Sequence, residues 1–358
     1  MDYNVYKTKK RRKKNSAVTI MLITSTIFAF MLCAALLFFY AEQRNKTLQA
    51  VAEVKILKEE NENMYTKNQV EEFIEKAKQE ILDKIKSMLE SGEGMLSILQ
   101  KYYPNYVIAT SRGSYYFFPI SDKLEKNNFN LEKFTYPVFD KEKEEWQGTA
   151  TYMKGTREEA KKGIDVSTFQ GDINWKKVKD TGMDFAIIRL GFRGYENGKI
   201  VLDSKFKDNI EGSLKVGLDT GVYFFTEALT EEEAIEEAEF VIENLKEYKI
   251  NMPVVIDVEE SANIEKTRTR DLTANQRTKN VIAFCERIKK AGYDIMIYGN
   301  LKSFMIMMNI DELEEYDKWF AYYRYPFHFP YKIKMWQYTA YEKVDGIEGK
   351  TDVNLMFY

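Results

Sequence analysis

The spacing of apolar positions along this chain changes several times, and each change marks a segment. Residues 17–40 form a predominantly apolar run without charge, from Ala17 to Tyr40. From 41 to 101 the background turns polar, and Val70, Phe73, Ile74, Ala77, Ile81, Ile85, Met88 and Leu89 recur at spacings of three and four. That spacing predicts one apolar stripe along a helical stalk. Between 102 and 160 the runs shorten to YVIAT, SYYFFPI, FTYPVF and GTATYM, separated by turn formers such as Ser111-Arg112-Gly113. Short aromatic and β-branched runs between turns predict a small β-rich spacer unit.

From 161 to 358 apolar strand-like runs alternate with helix-like stretches. The strand candidates are GIDVS, FAIIRLG, GVYFF, PVVIDVE, DIMIYG, KWFAYY, KMWQYT and TDVNLMF. Strands alternating with helices predict parallel pairing through crossover units, and eight of them predict a closed barrel. The last two connections are too short for full crossover helices, so the barrel should be irregular towards its C-terminal end. The predicted fold class is α/β: a modified β/α barrel preceded by a transmembrane helix, a helical stalk and a β-rich unit.

Charge refines the N-terminal reading. Lys7, Lys9, Lys10, Arg11, Arg12, Lys13 and Lys14 crowd residues 1–16, while the whole chain carries a formal net charge of -3. A basic block beside an apolar run long enough to cross roughly 30 Å of hydrocarbon reads as a cytoplasmic tail before a signal-anchor helix. No small-residue cleavage site precedes Glu42, which argues against a removed signal peptide. The block then needs no nucleic acid to explain it. The expectation is a single-pass cell-membrane protein with a cytoplasmic N-terminus, lipid contact through residues 17–40 and its chemistry outside the cytoplasm. The stalk stripe could pair with a second copy as a coiled coil or lie along its own chain.

The chemistry is bounded by what is scarce. One histidine, His328, and two cysteines, Cys33 and Cys285, supply neither a zinc cluster nor a disulfide framework. A hydrolytic site must therefore use carboxylates. In PVVIDVEE an apolar strand ends in Asp257 and Glu259, two apart and so on one side. Two carboxyls at a poorly solvated mouth resist ionising together, which leaves one holding its proton near neutral pH. Asp165 in GIDVS and Asp352 in TDVN occupy similar positions on the first and last strands. Each acid alone could serve as a loop cap or a structural hydrogen-bonding group. Tyr223, Tyr298, Tyr322, Trp336 and Gln337 stand at strand ends as candidate sugar contacts, although aromatics there more often belong to a core.

These motifs match a known family in order. GIDVSTFQGDINW, FAIIRLGFRG, LDSKFKDNI, GVYFF, VVIDVEE, IYGN, MWQYT and DGIEGKTDVN make residues 163–358 resemble the family 25 glycoside hydrolases, the muramidase lysozymes. The resemblance implies a modified β/α barrel that hydrolyses the β-1,4 bond from N-acetylmuramic acid to N-acetylglucosamine, with no metal or organic cofactor. It implies Glu259 as general acid, Asp257 as assistant to the reacting acetamido group, and Asp165 and Asp352 as the rest of an acidic bowl. An Asp-x-Glu pair suits a substrate-assisted, retaining route, an exception to two-carboxylate catalysis. Ser213 departs from the small alanine usual there. A silent glycan-binding scaffold and a hydrolase of N-acetylglucosamine polymers are the competing readings.

Overall fold

In a computed structural model, the backbone is described for all residues except 1–15, 61–64, 141, 143–144, 155–156 and 262–264; side chains of 16–30, 54–60, 145–146 and 154 are also outside the description. The chain divides into two compact units, Met1–Gly92 and Glu93–Tyr358. The expected basic tail lies almost wholly outside the described residues.

In the first unit, helix α1 (Ser16–Glu60) is followed by α2 (Lys67–Glu90). Thr66 and Gln69 close a reciprocal capping box at the start of α2. Ala50 and Val51 of α1 share a groove with Val70, Phe73 and Ala77 of α2, and Lys78 lies 5.2 Å from the Tyr40 ring centre. Later positions of α2 meet earlier ones of α1, so the pair folds back on itself. The stripe expected on the stalk thus has a partner within its own chain. Among the described residues no helix is long and apolar enough to cross a membrane. Much of the expected span, residues 17–30, falls where side chains are not described.

The second unit is built on eight strands: β1 (Ala160–Val166), β2 (Phe185–Arg193), β3 (Asp219–Phe225), β4 (Val254–Asp257), β5 (Ile295–Asn300), β6 (Asp317–Ala321), β7 (Met335–Glu342) and β8 (Thr351–Phe357). They pair in chain order, β8 also pairs with β1, and the sheet closes. Pairing is parallel from β1 through β7, whereas β8 runs antiparallel to both neighbours. The short β7–β8 connection allows only a hairpin, since a parallel crossover needs a dozen residues or more.

Alternation along each strand separates two cores. Phe185, Ile187, Val255, Met296, Trp319 and Met335 fill the barrel interior, while Ile164, Ala186, Ile188, Val254, Ile256 and Ile297 face outward. A Cβ on Gly163 would stand 2.4 Å from the Phe185 ring, so the bare backbone of β1 is what lets that ring enter. Helices α4 (Trp175–Asp180), α5 (Phe206–Lys215), α6 (Glu231–Leu245) and α7 (Ala274–Lys290) occupy the connections from β1 to β5. Buried Ser213 on α5 exchanges a 2.6 Å hydrogen bond with Thr220, which satisfies the hydroxyl found in place of alanine.

No such helix follows β6 or β7, and the outer faces of the last strands are covered from elsewhere. Residues 93–159 supply α3 (Met95–Tyr102), a hairpin of Tyr106–Ser111 with Ser114–Pro119, and several shorter strands. Arg112 and Gly113, both at positive φ, make the hairpin's tight turn. Phe134 meets Trp336 at 5.5 Å between ring centres, and Phe129 meets Phe357 at 4.4 Å. Thr149 shares a 2.6 Å hydrogen bond with Tyr338, and the Asn127 amide donates to the Pro330 carbonyl at 2.9 Å. The β-rich character was legible, but the segment is not a separate spacer, because it caps the barrel where crossover helices are missing.

Candidate active site

The rim at the C-terminal ends of β1 to β7 collects the acids. Asp165 alternates with outward Ile164 and Val166 and therefore points inward, as does Asp257 between Ile256 and Val258. Asp352 lies at the start of β8, and because that strand is reversed it pairs directly with Asp165. Reversal brings the first residues of β8 to the rim where the other strands end. Glu259 lies two residues beyond β4, where the Val258 amide still donates to the Tyr298 carbonyl at 3.0 Å and prolongs the pleat.

Asp165 is the most firmly held. Its Oδ2 accepts from Gln337 Nε2 and from Asn354 Nδ2, each at 2.8 Å. The carboxamide oxygens behind them are also fixed: Gln337 Oε1 accepts from Tyr298 at 2.8 Å and from Tyr323, and Asn354 Oδ1 accepts from Trp319 Nε1 at 2.7 Å. Burial pushes Asp165 up to about 6, and these donors limit the rise by favouring its charged form.

The other three rise further. Burial lifts Glu259 to about 7, reinforced by Asp165 and opposed by a hydrogen bond with Tyr298. Burial lifts Asp352 to about 8, helped by Asp165 and then Glu259. Asp257 is raised well above the carboxylate range by burial, then by Glu259 and Asp165, with Arg189 opposing. Its Oδ1 is buried and accepts no hydrogen bond from the described residues. The set can therefore keep one anion at Asp165 while its neighbours hold protons, the polarity a general acid needs.

A raised carboxyl does not by itself mark this site. Glu237 on α6 is also lifted to about 7 by burial, but it is tied to Arg193 Nε at 2.7 Å and Thr226 Oγ1 at 2.6 Å, behind the barrel wall. The loop beyond β4 is secured differently. Buried Glu227 accepts from Thr267 at 2.9 Å, Thr269 at 2.5 Å and Ser261, and Glu260 pairs with Lys302.

Of the candidate sugar contacts, Tyr223, Tyr298 and Gln337 lie on the interior face with the acids. Tyr322 and Trp336 do not. Trp336 is 0% exposed in the outer core, its Nε1 donates to the Tyr322 carbonyl at 2.8 Å, and Tyr322 stacks on Phe320. Strand alternation turns each away, and the inward residue is the next one, Tyr323 or Gln337. Tyr323, Arg189, Trp319 and Asn354 were missed by sequence reasoning, although each stands two positions from another inward residue, and that period was the available signal.

Fold and site together define a barrel enzyme of the glycoside-hydrolase class. The sequence profile of "Glycosyl hydrolases family 25" matches residues 164–347, and the chain belongs to that family. The uncharacterized protein YegX of Escherichia coli K12 is 28% identical over 202 residues, covering 54% of this chain and 68% of that protein. Lysozyme M1 of Streptomyces globisporus is 27% identical over 203 residues, covering 54% of this chain and 66% of that one. The solved structure of the modular autolysin LytC from Streptococcus pneumoniae is 29% identical with a TM-score of 0.51, covering 71% of this chain and 61% of that chain. LytC has also been solved with a synthetic peptidoglycan ligand, at 28% identity and the same TM-score of 0.51.

Proposed function

We propose that this chain is a membrane-anchored peptidoglycan hydrolase that cuts the β-1,4 bond between N-acetylmuramic acid and N-acetylglucosamine. The observation that carries the reading is the meeting of Asp165, Asp257, Glu259 and Asp352 at one rim, with Glu259 raised to about 7. Similarity to Lysozyme M1 and to LytC, solved with a peptidoglycan ligand, supports the substrate class. Anchoring rests on the uncharged run from Ala17 to Tyr40 behind its basic block. The barrel would then work outside the cytoplasm, against the wall.

In this mechanism Glu259 donates its proton to the glycosidic oxygen as the bond to the anomeric carbon breaks. The carbonyl oxygen of the substrate's 2-acetamido group attacks that carbon and forms a cyclic oxazolinium. Asp257 Oδ1, buried without a hydrogen-bond partner among the described residues, accepts the acetamido N–H and holds the carbonyl oxygen in line for attack. Glu259, now ionised, takes a proton from water as the water opens the ring, which gives net retention. Ionised Asp165 adds negative potential beneath the developing cation.

Two experiments test this. Full-length protein in detergent, given peptidoglycan, should clear the suspension and leave muramic acid at the new reducing ends, identified by borohydride reduction and mass spectrometry. Glucosamine at those ends would overturn the bond assignment.

The pH profile follows from the acids. Glu259 must hold its proton, so kcat/KM should fall as pH rises through about 7. Asp165 must be ionised, so kcat/KM should also fall as pH drops through about 6. A narrow optimum between these limbs is expected in initial-rate measurements, and a flat profile from about 4 to 8 would refute the assignment.

A further inference from the structure

Arg189 has no part in the mechanism above, yet it stands beside it. It follows Phe185 and Ile187 on the inward side of β2, and its charge opposes the rise of both Asp257 and Tyr223. Its Nε donates to Asp203 Oδ2 at 2.6 Å. Asp203 is fully buried at the side chain and also accepts the Thr168 amide at 3.1 Å and the Lys205 amide at 2.8 Å. This anchor fixes the guanidinium and ties the turn after β1 to β2. Phe169, on that turn, lies with its ring centre 4.9 Å from the guanidinium carbon and is 82% exposed.

Two features of this arrangement point to a ligand. The terminal nitrogens Nη1 and Nη2 donate no hydrogen bond to the described residues, so a fixed cation keeps donors to spare beside the acids. A large apolar ring stays open to solvent above it, at the edge of the rim and with one face already occupied by a cation. A site crowded with carboxyls repels an anionic sugar unless a cation meets its charge.

We infer that Arg189, braced by Asp203 and roofed by Phe169, recognises the 3-O-lactyl group of muramic acid and so selects muramoyl sugars over plain N-acetylglucosamine polymers. The inference rests on the cleavage reading above. With the 2-acetamido group at Asp257, the neighbouring ring carbon bears the lactyl ether in muramic acid and a bare hydroxyl in N-acetylglucosamine. The lactyl group offers carboxylate oxygens or, once amide-linked to a peptide, a carbonyl oxygen; a guanidinium donates to either. The Phe169 ring covers the apolar side of the same substituent.

The test compares two substrates of equal length: stem-peptide-free peptidoglycan oligomers and β-1,4-linked N-acetylglucosamine oligomers. Full-length wild type, Arg189→Met, Arg189→Lys and Phe169→Ala are assayed on both, with a thermal melt for each. Arg189→Met should lower the ratio of kcat/KM, muramoyl over glucosamine, by about tenfold or more, chiefly through KM, as expected for a lost hydrogen bond to a charged group. Arg189→Lys should recover part of that ratio, and Phe169→Ala should lower it several-fold with an unchanged melt.

An unchanged ratio, or equal losses on both substrates, would overturn the inference. Asp203→Asn in the Arg189→Met background removes the stranded buried charge and provides a folded variant if the single change melts early. Calorimetric binding of both oligomers to Glu259→Gln, with and without Arg189→Met, reads the same preference without turnover. If wild type cleaves neither oligomer, the cleavage reading fails, and the binding preference alone decides for or against the lactyl subsite.

Discussion

Glutamine at position 259 is expected to lower kcat for glycan cleavage by roughly 10²- to 10⁴-fold, the usual contribution of a positioned general acid, with little change in KM. The same substitution should raise thermal stability above neutral pH, and that opposite sign makes it diagnostic. Burial lifts the Glu259 carboxyl from its ordinary 4.5 to about 7. The native state therefore binds this proton more tightly than the unfolded chain does. That contribution is present below about 4.5, shrinks as pH rises towards 7, and is gone above it, where the charge must be held in a poorly solvated site. Glutamine carries no such charge. Wild type and Glu259→Gln should melt alike near pH 4, while the variant should melt a few degrees higher near pH 8. Calorimetry at both pH values beside reducing-end assays checks this; activity and stability falling together would mean that Glu259 is structural.

How far the sequence disclosed the molecule depends on which pattern carried the information. All eight barrel strands were legible, because runs such as FAIIRLG and PVVIDVE have no competing helical period and are closed by turns or helix caps. The acids were legible for the complementary reason that a carboxylate at the end of an apolar run is costly without a purpose. Strand direction was less accessible. Asp352 reaches the rim only because β8 is reversed, and a short connection signals irregularity without saying which strand turns.

The errors among the aromatics have one cause. Tyr322 and Trp336 were placed by nearness to a strand end, whereas facing is set by the two-residue period counted from a known inward residue. Counting from Trp319 and Ala321 gives Tyr323, and counting from Met335 gives Gln337. Arg189 emerges the same way from Phe185 and Ile187. Its pairing with Asp203, which follows a short strand, Ile200–Leu202, paired antiparallel to β2, has no local signature.

A protein beginning at residue 161, although it holds the whole matched profile at 164–347, is expected not to fold cooperatively, whereas one beginning at residue 93 should. The reason lies in the faces that helices leave bare. The outward residues of β6 to β8 include Phe320, Trp336, Tyr338, Leu355 and Phe357, all within the outer core. Phe129, Phe134, Tyr136 and Tyr152 pack on this set, Tyr136 through a 6.2 Å contact with Trp336 and Tyr152 through one of 5.7 Å with Phe357. Fully burying one large apolar side chain contributes about 1.5–3 kcal/mol, so removing four such side chains and re-exposing their partners costs on the order of 10 kcal/mol. Domain stabilities are themselves only about 5–15 kcal/mol, so the loss consumes most or all of the margin. Hydrogen bonds add direction to the same contact: the Lys332 amide donates to the Glu125 carbonyl at 2.9 Å and the Ser121 amide to the Tyr331 hydroxyl at 2.9 Å, leaving those loop groups unpaired after truncation. Denaturant unfolding followed by near-ultraviolet circular dichroism distinguishes the outcomes. A cooperative transition for residues 161–358, matching that of residues 93–358, would show that the preceding segment merely rests on the barrel, while Phe134→Ala in the longer protein should already cost about 3–5 kcal/mol if the segment completes it.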